Sequence, residues 1–123
     1  MAFVIGLAFA TEQDRADFVE RIMPRVRGKE AEPPRPEGEE DGLHWMGIAV
    51  TSQSAARDLC HQLVAFLAHS KKTRVDVTWR SADGQLQTGQ VTAEAAREAE
   101  ILSVRLGAAA KAHLDAEKNA SEG

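Results

Sequence analysis

Two rhythms of apolar and polar positions run along this chain, one with a period of two and one with a period near three and a half, and they predict seven elements. Phe3–Ala10 opens in the shorter rhythm, with Phe3, Ile5, Leu7 and Phe9 on one side and Val4, Gly6 and Ala8 on the other. Both sides are apolar, which predicts a central strand covered on part of both faces. The second side is made of small residues, so a helix or another protomer could approach it closely. Thr11 followed by Asp14 is a variant capping box, with Asp14 where Glu or Gln is usual. Val19, Ile22, Met23 and Val26, with Phe18 beside them, then keep helical spacing. Acids in the first turn and Arg21, Arg25 and Arg27 near the end suit the helix dipole. Pro24 is expected to end regular hydrogen bonding near Met23, and Gly28 to stop the helix.

Leu43–Val50 reads as a second strand, and Thr51 or Ser52 as the cap of a second helix. Ala56, Leu59, Cys60, Leu63, Val64, Phe66 and Leu67 give that helix a wide apolar stripe. Thr73–Arg80 alternates most cleanly: Val75, Val77 and Trp79 point to a core, and Arg74, Asp76, Thr78 and Arg80 to water. Ala82-Asp83-Gly84 supplies a hairpin turn with glycine at the left-handed position. The return, Gln85–Val91, is polar enough for an edge strand.

The last helix, Thr92–Lys118, carries Ala95, Ala99, Leu102, Leu106, Ala109 and His113 in a near-heptad seam made to lie against something. A helix of about 24 residues spans roughly 36 Å and a strand of about seven roughly 23 Å, so the helix should overhang the sheet from Gly107 onward. The seam from Ala95 to Leu102 reads as packing on the molecule's own sheet, and the overhang as a partner contact. The order β-α-β-α-β-β-α predicts an α+β fold, an α/β sandwich. Its sheet is expected to be mixed and four-stranded, parallel within the β-α-β units and antiparallel in the final hairpin, with helices mainly on one face. Residues 1–118 form one domain and 119–123 a polar tail.

Lys29–Gly42 breaks both rhythms with three prolines, two glycines and no apolar residue beyond Ala31, and is expected to be a mobile, solvated loop. It holds six acids and two bases, so it alone accounts for the net charge of −4. The remaining body is close to neutral, and little repulsion opposes its association with a protein partner or a second copy as a homodimer. The acidic balance argues against nucleic acid and an anionic membrane as the main partner. Cys60 is the only cysteine, so no disulfide joins the chain to itself. Phe3–Ala10 lacks a basic leading segment and reads as a buried strand rather than a secretion signal, which places the protein in the cytoplasm.

Candidate chemistry is sparse. Cys60 lies on an apolar stripe and reads as a small buried hydrophobe. His44, His61, His69 and His113 show no metal-ligand spacing, and no Gly-rich phosphate loop is present. No catalytic residue, cofactor or metal site is expected. The second reading is a ligand-binding or catalytic domain with a pocket near Trp45, Trp79 and His44.

The run Arg74-Val-Asp-Val-Thr-Trp-Arg-Ser-Ala-Asp-Gly-Gln-Leu follows an apolar helix ending in bases at Leu59–Lys72 and precedes a short strand and a helix. In this the C-terminal half resembles the effector-associated constant component proteins of predicted bacterial conflict systems. Ala82 stands where that family often has proline, and the acidic insert at 29–42 is a departure from it. The resemblance implies a non-catalytic accessory or adaptor subunit that couples a separate effector to a sensor. The surfaces expected to meet a partner are the seam of the last helix (Leu102, Leu106, Ala109, His113) and the exposed sheet face or edge (Arg74, Asp76, Arg80, Gln87).

Overall fold

The computed structural model describes the backbone of residues 2–36, 42–70, 74–92 and 96–122, and the side chains there except at 69, 70, 96 and 118–122. The strands are β1 (Phe3–Phe9), β2 (Gly28–Ala31), β3 (His44–Val50), β4 (Arg74–Arg80) and β5 (Leu86–Thr92). The helices are α1 (Glu12–Arg21), α2 (Gln53–Ser70) and α3 (Ala96–Glu122).

Local signals set these boundaries. The Asp14 amide donates to Thr11 Oγ1 at 3.0 Å at the head of α1, and the Ala55 amide to Ser52 Oγ at 3.1 Å at the head of α2. Pro24 cannot continue an α-helix, so α1 ends at Arg21 and a single 3-10 turn, Met23–Arg25, follows. Gly84 takes φ +85° in the β4–β5 turn, where a side chain would be strained. The expected cap at Thr92 leads into residues 93–95, which lie outside the described residues, as does Ala95 of the seam. Helix α3 runs on to Glu122, so most of the expected polar tail is its last turn.

The five strands form one sheet in the order β2-β3-β1-β4-β5, with every adjacent pair antiparallel. This corrects the expected mixed, four-stranded sheet, and the cause is β2. Gly28-Lys29-Glu30-Ala31 has no apolar alternation, yet it pairs with Val50 through Gly47 on β3. Each crossover therefore skips a strand: β1 and β2 run parallel on either side of β3, and β3 and β4 run parallel on either side of β1. The first six elements thus follow the split β-α-β, or ferredoxin-like, connectivity, with β5 and α3 added beyond β4.

The core lies between one sheet face and the helices. Phe3, Ile5, Leu7 and Phe9 of β1, Met46, Ile48 and Val50 of β3, Val75, Val77 and Trp79 of β4 and Val91 of β5 are all buried there. Helix α1 contributes Phe18, leaving Val19 exposed, and Ile22 at its C-cap adds to it; α2 contributes Leu59, Cys60, Leu63, Phe66 and Leu67. Phe9, Phe18 and Phe66 meet as tilted and edge-on rings 5.3 to 6.4 Å apart, the arrangement that ring quadrupoles favour. Helix α3 runs antiparallel to α2, with Ala99 beside Cys60 and Gly107 against the side chains of Arg57 and Gln53. Gly89 of β5 leaves the space that Leu102 fills, since a methyl there would come within 2.7 Å of Leu102 Cδ1.

Candidate interaction surface

Among the described residues no helix covers the other sheet face, and alternation along β4 sends Arg74, Asp76, Thr78 and Arg80 there. Arg74 Nε lies 3.2 Å from Asp76 Oδ1, and Arg80 Nη1 donates to Gly84 O at 3.0 Å, closing the hairpin turn. Thr88 and Gln90 of β5 extend this exposed polar rim to the end of the sheet.

Toward the middle the face changes character. Gly6 of β1 is paired with Gly47 of β3, and Ala8 and Thr78 flank them, all four buried. Over Gly6, Gly47 and Thr78 lies Glu32–Pro36, the first part of the acidic segment expected to be mobile. Thr78 Oγ1 donates to Pro34 O at 2.5 Å, and the Arg35 guanidinium sits 5.5 Å from the centre of the Trp45 ring. Residues 29–36 are therefore a strand and a strap laid on the sheet, which corrects the loop reading for that part. Residues 37–41 lie outside the described residues. The strap leaves an open cleft on either side. One, of 510 Å³, is lined among others by Val4, Pro33, Arg80 and His113, and the second, of 500 Å³, by Pro36, Trp45, Asp76, Thr88 and Gln90.

The residues expected to meet a partner are divided by this arrangement. Arg74 and Arg80 are exposed and Asp76 is half-buried, all three on the open face. Gln87 pairs with Trp79, which turns it toward the helical face, so it does not join them. The helix seam is used inside the molecule: Leu102 and Leu106 are 3% and 0% exposed, and Ala109 packs against the same core. This corrects the reading of Leu102 and Leu106 as a partner surface. The overhang past Gly107 is also partly occupied, since the His113 ring lies 5.7 Å from Phe3 and its Nε2 is 3.1 Å from Ala2 O and from Glu117 Oε1. Among the described residues, the large apolar side chains that α3 exposes are instead Ile101 and Val104.

The sheet does not bring Trp45, Trp79 and His44 together around one pocket. Trp45 lies on the open face, whereas Trp79 and His44 belong to the helical face, where Arg105 covers the Trp79 ring at 5.1 Å and His44 pairs with Glu12. Cys60 is buried, its Sγ 3.4 Å from Ala99 O, and loss of solvation with the nearby Glu100 charge pushes its pKa up to about 12. A thiol so placed holds its proton and is a poor nucleophile. Glu100 clasps α3 to α2 through His61 at 3.0 Å and Arg57 at 3.1 Å, and the hydrogen bond from His61, then the charges of both partners, hold its carboxyl below the usual range. Among the described residues no group of three or more His, Cys, Asp or Glu is placed to hold a metal ion.

Sequence reasoning read the small side of β1 as open to close approach by a helix or another protomer, but missed that the chain's own strap lies there, a closeness that Gly47 also signalled. Glycine inside a strand marks a place where another backbone comes close. No family model, curated protein or solved structure matches the chain.

Proposed function

We propose that this chain is a small non-catalytic interaction module, an accessory or adaptor subunit that joins protein partners through the β5 edge and the adjoining rim of the open face. The observation that carries this reading is the edge itself. Among the described residues β5 pairs with β4 alone, residue for residue over seven positions and without a bulge, and it contains neither a charged residue nor a proline. Sheet edges are usually protected by charges, proline, bulges or shortness, because an unprotected edge pairs with another strand. The opposite edge has such protection: β2 is four residues long, carries Lys29 and Glu30, and is followed by the prolines of the strap.

An edge like β5 suits strand addition. A second copy is the simplest occupant, since antiparallel pairing centred on Gly89 sets Thr88 against Gln90 and opposes no like charges. The near-neutral body favours the same association. The resemblance of the C-terminal half to effector-associated constant component proteins supports a cytoplasmic role in a bacterial conflict or signalling system.

Light scattering across a range of protein concentrations tests the reading, using wild type and the double variant Thr88→Lys/Gln90→Lys. Both positions are exposed, so the variant should keep its melting temperature. The expected result is a wild-type mass that rises above the monomer and a variant that stays monomeric. Equal masses for the two proteins would remove the β5 edge as the contact.

A further inference from the structure

A second site lies on the floor beneath the strap, at the middle of the open face, and one end of it reaches the β5 rim. We propose that this floor is a recognition groove for an extended proline-containing segment that carries an arginine. The strap Glu32–Pro36 fills the groove in cis, and a partner protein's Pro-Pro-Arg segment replaces it in trans.

The floor is shaped for a backbone rather than for water. The paired Gly6 and Gly47 offer no side chain, and a methyl on Gly47 would come within 2.8 and 2.9 Å of Pro33 N and Cα. On Gly6 it would lie 3.1 Å from Pro34 O. A solvated sheet face would be expected to carry larger polar residues at its centre. Two further features read the occupant's chemistry: Thr78 donates to the carbonyl of Pro34, and Trp45 receives a guanidinium.

The strap itself is a preformed ligand. Proline fixes its own φ, and a residue that precedes proline is held extended, so Glu32, Pro33 and Arg35 are all restricted. A chain of this kind loses little entropy when it docks, which is why proline-rich segments serve as recognition peptides.

The strap is also detachable. Pro33, Pro34 and Pro36 are only half-buried and Arg35 is exposed, while the main core lies on the other side of the sheet. Among the described residues its hold includes one hydrogen bond, one cation–π contact and proline rings over glycine. The clefts of 510 and 500 Å³ continue the groove on both sides, so a partner segment longer than the strap has room beyond it.

The test uses the full chain and a labelled synthetic peptide, Ala-Glu-Pro-Pro-Arg-Pro, with fluorescence anisotropy and the Trp45 indole NMR signal as readouts. In wild type the tethered strap competes at a high effective concentration. The strap variant Pro33→Gly/Pro34→Gly/Arg35→Ser should therefore bind the peptide about tenfold more tightly or better. Adding Trp45→Ala to that variant, or replacing the arginine of the peptide with alanine, should weaken binding again. A folded strap variant that binds this peptide no better than a scrambled one overturns the proposal. If the triple variant does not fold, Arg35→Ala decides alone: tighter peptide binding than wild type supports the groove, and equal binding overturns it.

Discussion

At the scale of single residues, burial and close approach decide what each group can do. Cys60 keeps its proton well above neutral pH and lies under α3, so a thiol reagent such as Ellman's should leave it unmodified in the native protein and label it once the chain unfolds. Prompt labelling of the folded chain would contradict the packing of α3 over α2. Gly47 faces the opposite constraint. Gly47→Ala drives a methyl into Ala31 and Pro33, and should cost about 1–3 kcal/mol in chemical denaturation while shifting the Trp45 signal as the strap lifts. Neither position could be graded from the chain alone. Cys60 was legible as a buried residue because its neighbours Leu59 and Leu63 share its stripe. Gly47 looked like one more small strand residue, because what packs on it is distant in sequence.

Among the elements, the helix pair α2–α3 is the main test of how the seam is used. Leu106 is fully buried against the molecule's own core, so Leu106→Ala should lower stability by about 2–5 kcal/mol in denaturant titration. Ile101→Ala, at a position 54% exposed on the same helix, should change it little. Glu100 adds a pH dependence to the pair. Its pKa is lowered in the fold, so its contribution is present above the ordinary carboxylate range and lost as pH falls through the lowered value. Melting curves of wild type and Glu100→Gln should therefore differ at neutral pH and converge in acid. Because Glu100 is exposed, the difference should be small.

Most elements were legible because each has a local signature: the Thr11 cap, the Pro24 stop, the alternation of Val75, Val77 and Trp79, the turn at Gly84. The β2 strand was not legible, since Gly28-Lys29-Glu30-Ala31 has no such signature and is a strand only because β3 offers it a ladder. The face of the seam was legible, but its partner was not. Apolar spacing says that a helix must be covered, and it does not distinguish another helix of the same chain from another molecule.

For the whole molecule, one missed strand changed the topology. With β2 unrecognised, the β-α-β order implied parallel neighbours. With β2 in place, each crossover spans an intervening strand and the whole sheet is antiparallel. The same strand carries the strap onto the open face, so half of the candidate surface depended on an element that periodicity does not reveal. The other half, the polar return strand at the sheet edge, was visible in the composition of Gln85–Val91. Among the described residues the molecule has one protected edge at β2, one unprotected edge at β5, and between them a face part strap and part polar rim.

The measurement that tests this account most directly is amide hydrogen exchange of the intact chain at low and high protein concentration. In dilute solution the outward-facing amides of β5, at alternate residues of Leu86–Thr92, should exchange quickly while those of the central strand β1 are protected. Raising the concentration should slow exchange at β5 and leave β1 unchanged. Exchange along β5 that is independent of concentration, or new protection around Ile101 and Val104 of α3 instead, would contradict strand addition at this edge.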